Sequence, residues 1–228
     1  MEQIIQKLKD SNIRVVSGNE ITHPSEIIDL MATYGSIKMA KLSGKVDGLD
    51  DDFNEIQLIN NYLIEVDVLD KGDFYGTIGV IVQQGSNEMK VYSGLTAHAC
   101  INLLVFSADY VKSVKSIDLD LLKNLLDKAV KYLPEQIDLI LDKIERLKNN
   151  FYDRSEWTHK KGQLLETMNP SLFSYLTNAE KLFRDEDSLY YDQSLTDWTL
   201  LSALTDKIKD EGISARLNKT LQLEELFA

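Results

Sequence analysis

The sequence predicts an α+β fold in which a three-stranded antiparallel meander and a following helix, a β-β-β-α core, precede a mainly helical C-terminal half. Between residues 62 and 92 apolar and polar side chains alternate, and glycine-containing turns separate the runs. After Ser116 leucines recur at helical spacing instead. We therefore expect an α+β core with the sheet over 1–115 and a helical region over 116–228, packed on it or extending from it within one compact unit.

Two helices are predicted ahead of the sheet. Residues 2–9 have the composition of a short helix, and a better one opens at Pro24, where a first helical turn tolerates proline, and stops at Gly35. The buried stripe of this second helix is expected to comprise Ile27, Ile28, Leu30, Met31 and Tyr34.

The predicted meander consists of three short runs joined by turns at Lys71–Asp73 and Gln84–Asn87. The three strands are Tyr62–Leu69, Phe74–Val82 and Glu88–Tyr92. The next stretch, Thr96–Phe106, is small and apolar, which predicts a buried helix packed across the sheet.

The C-terminal half is predicted to be a series of helices. Apolar residues keep helical register from residue 118 to 151, with Pro134 either kinking this element or starting its second half. A new segment begins at Asn169 and runs to Phe183. Ser194 and Asp197 have the spacing of a capping box ahead of a helix that ends near residue 212.

Composition excludes several classes of protein. The 228 residues are 43% hydrophobic and 27% charged, and their longest apolar runs are too short to cross a bilayer, so we expect no membrane association. Cys100 is the single cysteine, which rules out an internal disulfide and favours the cytoplasm. The net charge of -12 is spread over both halves, since residues 1–115 hold ten basic and sixteen acidic residues. Such a field repels nucleic acid at long range and favours basic partners, although a local basic patch still acts at contact distance.

The chain also resembles a family of phage- and plasmid-like proteins of unknown function. The resemblance rests on the strand Glu88–Gly94 leading to Cys100 and Asn102, then on the helical region Asp118–Phe151 and the terminal helix that opens with Thr196–Trp198. It implies a mobile-element origin, with the host cytoplasm as the place of action, and brings no known chemistry with it.

Residues that carry catalytic chemistry do not form a recognisable site in the sequence. Cys100 and His98 are two apart, so on the predicted helix they face away from each other. His23 and His159 have no ligand partners at metal-binding spacing, and the carboxylates of Asp47–Glu55 lack the pattern of a calcium loop. We therefore predict a non-enzymatic protein without a cofactor or metal, and leave open whether the acidic loop binds a cation.

Two regions oppose the overall acidity. One is a lysine-rich connector before the acidic loop, and the other is residues 143–161, where six bases outnumber three acids and aromatic rings lie between them. Cations and aromatic faces together are what single-stranded nucleic acid requires. The alternative is the solvated end of an amphipathic helix. The candidate nucleic-acid-binding residues are Lys38, Lys41, Lys45, Arg146, Lys148, Arg154, Trp157, Lys160 and Lys161.

The C-terminal peptide is a second candidate interaction segment. Its sequence is similar to the Gln-Leu-x-x-Leu-Phe peptides by which bacterial replication proteins dock on the sliding clamp, with Gln222, Leu223, Leu226 and Phe227 as the docking residues. Alternatively these side chains cover the protein's own core, in which case Phe227 would be ordered and buried.

The function predicted from these features is a phage or plasmid accessory protein that binds single-stranded nucleic acid in replication or recombination. The β-β-β-α order, which also occurs in single-strand annealing recombinases, is an analogy in its favour. The alternative is an acidic interaction protein that binds and inhibits or redirects a host defence or transcription complex with a basic surface. A homo-oligomer is compatible with either function.

Overall fold

The structure is a computed structural model that describes residues 2–9, 23–49, 55–83, 86–97, 106–191 and 193–227. It confirms the α+β class. The chain divides into two compact units. Unit 1 comprises Met1–His98, Ala108–Ile137 and Gly212–Ser214, and unit 2 comprises Ala99–Ser107, Asp138–Glu211 and Ala215–Ala228. The long helix of the C-terminal half therefore contributes to both units, which divide it after Ile137.

Unit 1 contains an antiparallel sheet whose described part has five strands in the order β1-β2-β3-β4-β5. Helices α1 (Glu2–Lys9) and α2 (Pro24–Ala32) precede it. The strands are β1 (Ser36–Leu49), β2 (Glu55–Lys71), β3 (Phe74–Gln83), β4 (Glu88–Ala97) and β5 (Phe106–Val114).

The prediction of three strands is correct for β2, β3 and β4 but incomplete. The lysine-rich connector is strand β1, which pairs with β2 from Ser36 opposite Asp67 to Leu49 opposite Glu55. The predicted helix over Thr96–Phe106 is wrong at both ends, because Thr96 belongs to β4 and Phe106 to β5. Among the described residues β4 is thus followed by a fifth strand, and the sheet has five strands instead of the predicted three.

One face of the sheet carries the core of unit 1. Alternate residues of the central strands point towards α2 and the first half of α3 (Leu119–Asn149), where apolar side chains are almost completely buried. The predicted stripe of α2 supplies Ile27, Ile28 and Met31 to this core, with Leu30 and Tyr34 partly buried against it. Burial of each such side chain stabilises the fold by roughly 2 kcal/mol.

The opposite face of the sheet holds a buried carboxylate. Glu65, Gly79 and Tyr92 are directly opposite one another on β2, β3 and β4, and Glu65 is only 3% exposed. The Tyr92 hydroxyl donates a hydrogen bond to Glu65 across the middle strand. Glycine is required there, because a β-carbon at residue 79 would overlap the Tyr92 ring. The pairing of Tyr92 with Glu65 thus depends on the missing side chain between them.

Unit 2 is built from the second half of α3 and the helices that follow. They are α4 (Arg154–Thr167), α5 (Phe173–Leu182), α6 (Asp197–Asp206) and α7 (Ile213–Glu225), with short 3-10 turns at Pro170–Leu172 and Lys207–Asp210. Helix α3 continues through Pro134 without interruption. The helical C-terminal half and the new segment after Asn169, whose side chain caps the Pro170 turn, are confirmed.

The start of α6 differs from its prediction. Thr196 is the N-terminal cap and forms a reciprocal capping box with Thr199, whereas Ser194 and Asp197 had been assigned these positions. Threonine caps a helix as serine does, and the carboxylate of Asp197 is engaged elsewhere. No helix in the described part of the chain is both long and apolar enough to cross a membrane.

Candidate functional site

Unit 2 contains an open groove of about 320 Å³. The last two turns of α3 form one side, and the first residue of α6 and the segment that follows α7 form the other. Its lining residues are Lys143, Arg146, Leu147, Asn150, Asp197 and Phe227.

The spacing of the α3 residues explains how they come together. Residues 146 and 147 are three and four positions after Lys143, which places the three on one face of α3, and Asn150 follows the last residue of that helix. Leu147 is buried at the base of this face, whereas Arg146 is exposed. Phe227, in the turn that follows α7, lines the other side of the groove. Its backbone N–H donates a hydrogen bond to the Glu224 carbonyl at 3.0 Å, which closes that turn.

Asp197 is the most highly connected side chain of the groove. It is 5% exposed, and its carboxylate accepts hydrogen bonds from Asn150 Nδ2 at 2.5 Å and from the Tyr152 hydroxyl at 2.6 Å. Its backbone N–H donates to the Asn150 carbonyl at 3.2 Å. As the first residue of α6 it also lies at the positive end of a helix dipole, which favours a carboxylate. We refer to Asp197, Asn150, Tyr152 and Lys160 as the Asp197 cluster.

Lys160 supplies the cluster's positive charge. Its Nζ lies 3.3 Å from Asp197 Oδ1, 5.1 Å from the centre of the Phe227 ring and 5.7 Å from that of Tyr152. The ion pair and the two cation–π contacts hold the ammonium group inside the protein's own structure. Lys160 therefore neutralises Asp197, so that the carboxylate does not make the groove acidic.

The electrostatics of the cluster keep Tyr152 as a hydrogen-bond donor. Burial raises the pKa of its phenol, and the hydrogen bond to Asp197 raises it further, because ionisation would place two negative charges together. The phenol is consequently neutral at physiological pH.

With Asp197 compensated by Lys160, two basic side chains remain in the lining of the groove: Lys143, which is itself engaged within the protein, and Arg146. Arg146 makes no ion pair with any residue that the structure describes. Its guanidinium presents several N–H donors in a fork that suits phosphate oxygens. The groove thus combines two cations with the apolar surfaces of Phe227 and Leu147.

A second, smaller pocket of about 180 Å³ also lies in unit 2. Helices α4 and α5 and the strand-like segment before α6 surround it. It is lined by Trp157, Glu180, Phe183, Arg184 and Leu195. We call it the Trp157 pocket.

The candidate nucleic-acid-binding residues of unit 2 separate into different roles. Arg146 lines the groove and Trp157 lines the second pocket. Lys148 is paired with Glu145 at 2.9 Å and Lys161 with Glu180 at 2.6 Å. Arg154 begins α4, but its side chain lies outside the description. Of the predicted residues, Arg146 and Trp157 therefore line cavities that a ligand can enter. Lys160 contributes indirectly, by neutralising Asp197.

The predicted lysines of unit 1 do not contribute a described binding surface. Lys38 Nζ is buried, 3.7 Å from Asp67 Oδ1 and 5.1 Å from the centre of the Tyr75 ring. Its ammonium group is therefore engaged within the sheet, and its assignment as a phosphate ligand stays a prediction. Lys41 and Lys45 lie in β1, and their side chains are outside the described part.

The C-terminal tail does not meet the condition for a docking peptide. Leu223 is fully buried and Phe227 is 9% exposed, and Gln222 and Leu223 belong to α7. Leu226 is half-buried in the turn that follows. The tail therefore packs on unit 2 itself, as the alternative interpretation of its sequence predicts.

The remaining candidate catalytic and metal-binding groups are only partly covered by the described residues. The Cys100 and His98 pair and most of the Asp47–Glu55 loop fall outside the described residues. His23 caps α2 by accepting a hydrogen bond from the Ser25 N–H at 3.1 Å. Within the described ranges no cluster of three or more histidine, cysteine, aspartate or glutamate side chains is placed to hold a metal ion.

Sequence reasoning missed Asn150, Tyr152, Asp197 and Lys143 as site residues. Lys143 belonged to the basic window, but nothing distinguished it from its neighbours. A possible signal for Asp197 was that a second residue, Thr196, was available as the helix cap, which left the carboxylate for another purpose.

Comparison with protein-family models, with curated proteins and with solved structures finds no match for this chain. The resemblance to phage- and plasmid-like proteins gains no support from it and stays a prediction.

Proposed function

We propose that this protein binds single-stranded nucleic acid through the groove of unit 2, as an accessory factor of the phage or plasmid type. The observation that carries the proposal is the placement of Lys143 and Arg146 beside the Phe227 ring in one open groove. A single strand offers phosphates and unstacked bases at the same time, and this pair of surfaces suits both.

The groove chemistry favours a flexible strand over a duplex. Phosphate oxygens bind to the guanidinium of Arg146 and to Lys143, while a base lies against Phe227 and Leu147. The Asn150 side chain has both amide hydrogens engaged, by Asp197 at 2.5 Å and by the Tyr152 oxygen at 3.0 Å. Its carbonyl oxygen is then the atom it offers to a ligand, and it accepts from base amino groups.

An exposed aromatic ring adjoins the groove. Phe151 follows Asn150 directly, is 60% exposed and forms an isolated β-bridge with Thr196, the residue before Asp197. A large exposed ring whose backbone is held by a bridge is a ready surface for base stacking.

Binding of labelled thymidine oligonucleotides at low salt tests the proposal, with fluorescence anisotropy as the readout. Arg146→Ala should weaken binding about tenfold, since a hydrogen bond to a charged group contributes roughly 1.5 kcal/mol. Lys148→Ala is the matched control, because it removes the same charge from the same helix at a residue already paired with Glu145. No measurable affinity in the wild type, or equal effects of the two variants, would contradict the proposal.

A second candidate function follows from the connector between α5 and α6. Leu189 is 70% exposed and comes two residues after the last of three exposed carboxylates, those of Asp185, Glu186 and Asp187. Acidic groups around an exposed apolar side chain suit a basic partner protein, as the net charge of -12 also does. Affinity capture from a bacterial lysate with wild type and Leu189→Lys tests this. A protein retained by the first and lost with the second supports it, and equal recovery contradicts it.

A further inference from the structure

We propose that the Trp157 pocket is a second base-binding site next to the groove, so that the ligand is a strand of two or more nucleotides instead of a single nucleotide. This inference rests on the proposed function and deepens it.

Two of the residues that line the pocket, Trp157 and Phe183, are aromatic. Trp157 lies in the first turn of α4. Its backbone N–H donates a hydrogen bond to the backbone carbonyl of the capping residue Asp153 at 2.9 Å. The Phe183 ring packs against Tyr190 with ring centres 5.9 Å apart and planes tilted by 59°. The Trp157 ring and the packed Phe183 ring around a small cavity favour a flat, unsaturated occupant.

The charge of the pocket distinguishes a nucleotide from an ammonium group. An aromatic pocket with a carboxylate would attract a cation, but Glu180 is already neutralised by Lys161 at 2.6 Å. Arg184 then adds positive charge at the edge of the pocket, and it has no ion pair with a described residue. Aromatic faces with a surplus of positive charge complement a base that carries a phosphate.

The position of the pocket places it within reach of a strand bound in the groove. Leu195 lines the pocket and Asp197 lines the groove, and two residues of extended chain span at most about 7 Å. Thr196, between them, is bridged to Phe151, and the Tyr152 N–H donates to the Leu195 carbonyl at 2.9 Å. The exposed Phe151 ring thus belongs to the segment that joins the two sites.

Tryptophan fluorescence tests the inference. The chain has two tryptophans, so Trp157 is the single tryptophan of the full-length Trp198→Phe variant. Its emission is excited at a wavelength that tyrosine does not absorb. Thymidine mononucleotide, dinucleotide and a longer oligonucleotide are titrated into this variant. We expect the dinucleotide to be the shortest ligand that both quenches Trp157 and depends on Arg146.

Two substitutions complete the test. Trp157→Leu should weaken oligonucleotide binding about tenfold, because one stacked base contributes roughly 1–3 kcal/mol. Arg184→Ala should weaken it less, and circular dichroism verifies that both variants fold. Binding that depends on Arg146 but leaves Trp157 emission and the Trp157→Leu affinity unchanged overturns this inference alone. Quenching by the mononucleotide with full Arg146 dependence also overturns it, because the two sites would then be one. Absence of any binding overturns the proposed function as well.

Discussion

Two buried carboxylates, one in each unit, are held by a tyrosine hydroxyl but have different surroundings. Glu65 lies in the sheet of unit 1, where Tyr92 reaches it across Gly79. Asp197 lies at the start of α6 in unit 2, bonded by Tyr152, Asn150 and Lys160, and forms part of an open groove. The first is enclosed by secondary structure, whereas the second borders a space that a ligand can enter.

This difference separates a structural polar group from one that organises a site. Glu65 depends on the exact fit of the sheet, so disturbing it should affect stability first. Asp197 positions Asn150 and Lys160 beside the groove, so disturbing it should affect both stability and ligand binding.

Gly79→Ala should cause the largest loss of stability. The new β-carbon overlaps the Tyr92 ring, which must move away from Glu65. We expect the free energy of unfolding to fall by about 3 kcal/mol, from overpacking and from weakened pairing of a buried carboxylate. Urea unfolding measures it. Gly162→Ala is the control, because nothing lies within 4 Å of its β-carbon in α4, and it should stabilise by roughly 0.5–1 kcal/mol. Equal effects at the two glycines would show that the described fit is wrong.

Tyr92→Phe and Tyr152→Phe compare the two carboxylates directly. Removing the Tyr92 hydroxyl deprives a carboxylate inside the sheet of a donor and should destabilise by about 2 kcal/mol. Removing that of Tyr152 should cost about 1 kcal/mol, because Asn150 and Lys160 remain on Asp197. Chemical denaturation of both variants gives the order. A larger loss for Tyr152→Phe would reverse the assignment of the two roles.

Lys160→Met tests the neutralisation of Asp197. Methionine keeps the apolar stem of the side chain but removes the charge. Stability should therefore fall by about 1 kcal/mol. Oligonucleotide affinity should fall several-fold, because an uncompensated Asp197 carboxylate repels phosphate. Lys161→Met removes the neighbouring, more exposed ion pair with Glu180 and should change stability by less than about 0.5 kcal/mol. Thermal unfolding measures both, and a larger loss at Lys161 would contradict the account.

Tyr34→Phe should cause a small loss of stability that is present at neutral pH and disappears in acid. The Tyr34 hydroxyl donates to Asp127 at 2.6 Å and, with Lys123, lowers the pKa of that carboxyl. A lowered folded-state pKa contributes stability above the unfolded pKa of about 3.9, and this contribution is lost as pH falls through the folded value. The variant should therefore raise the pKa of Asp127, and its stability should converge with that of the wild type in acid. Carboxyl NMR titration verifies this, and an unchanged Asp127 would count against the contact.

The central part of the fold could be predicted from local patterns because its strands alternate clearly. Strand β1 was missed because its lysines and glycines break the alternation, and pairing with β2 stabilises it through distant residues. The stretch Thr96–Phe106 is mainly small and apolar, and such a run does not distinguish a buried helix from strand ends.

The site was less predictable than the fold. Its groove joins the end of α3, the start of α6 and the C-terminus, which are roughly 50 and 80 residues apart, and a single sequence contains no signal for that contact. The basic window drew attention to Arg146 and Trp157, which line the groove and the Trp157 pocket. It could not show that Lys148, Lys160 and Lys161 are engaged by carboxylates, because those partners lie on a neighbouring turn of α3 or on other helices.

The salt dependence of oligonucleotide binding tests the central claim most directly. Each phosphate neutralised on a single strand contributes about 0.7 to the slope of log affinity against log salt concentration. We predict a linear decrease for the wild type, a slope shallower by about 0.7 for Arg146→Ala and an unchanged slope for Lys148→Ala. A wild-type affinity that does not vary with salt, or identical slopes for the three proteins, would contradict phosphate binding in the groove.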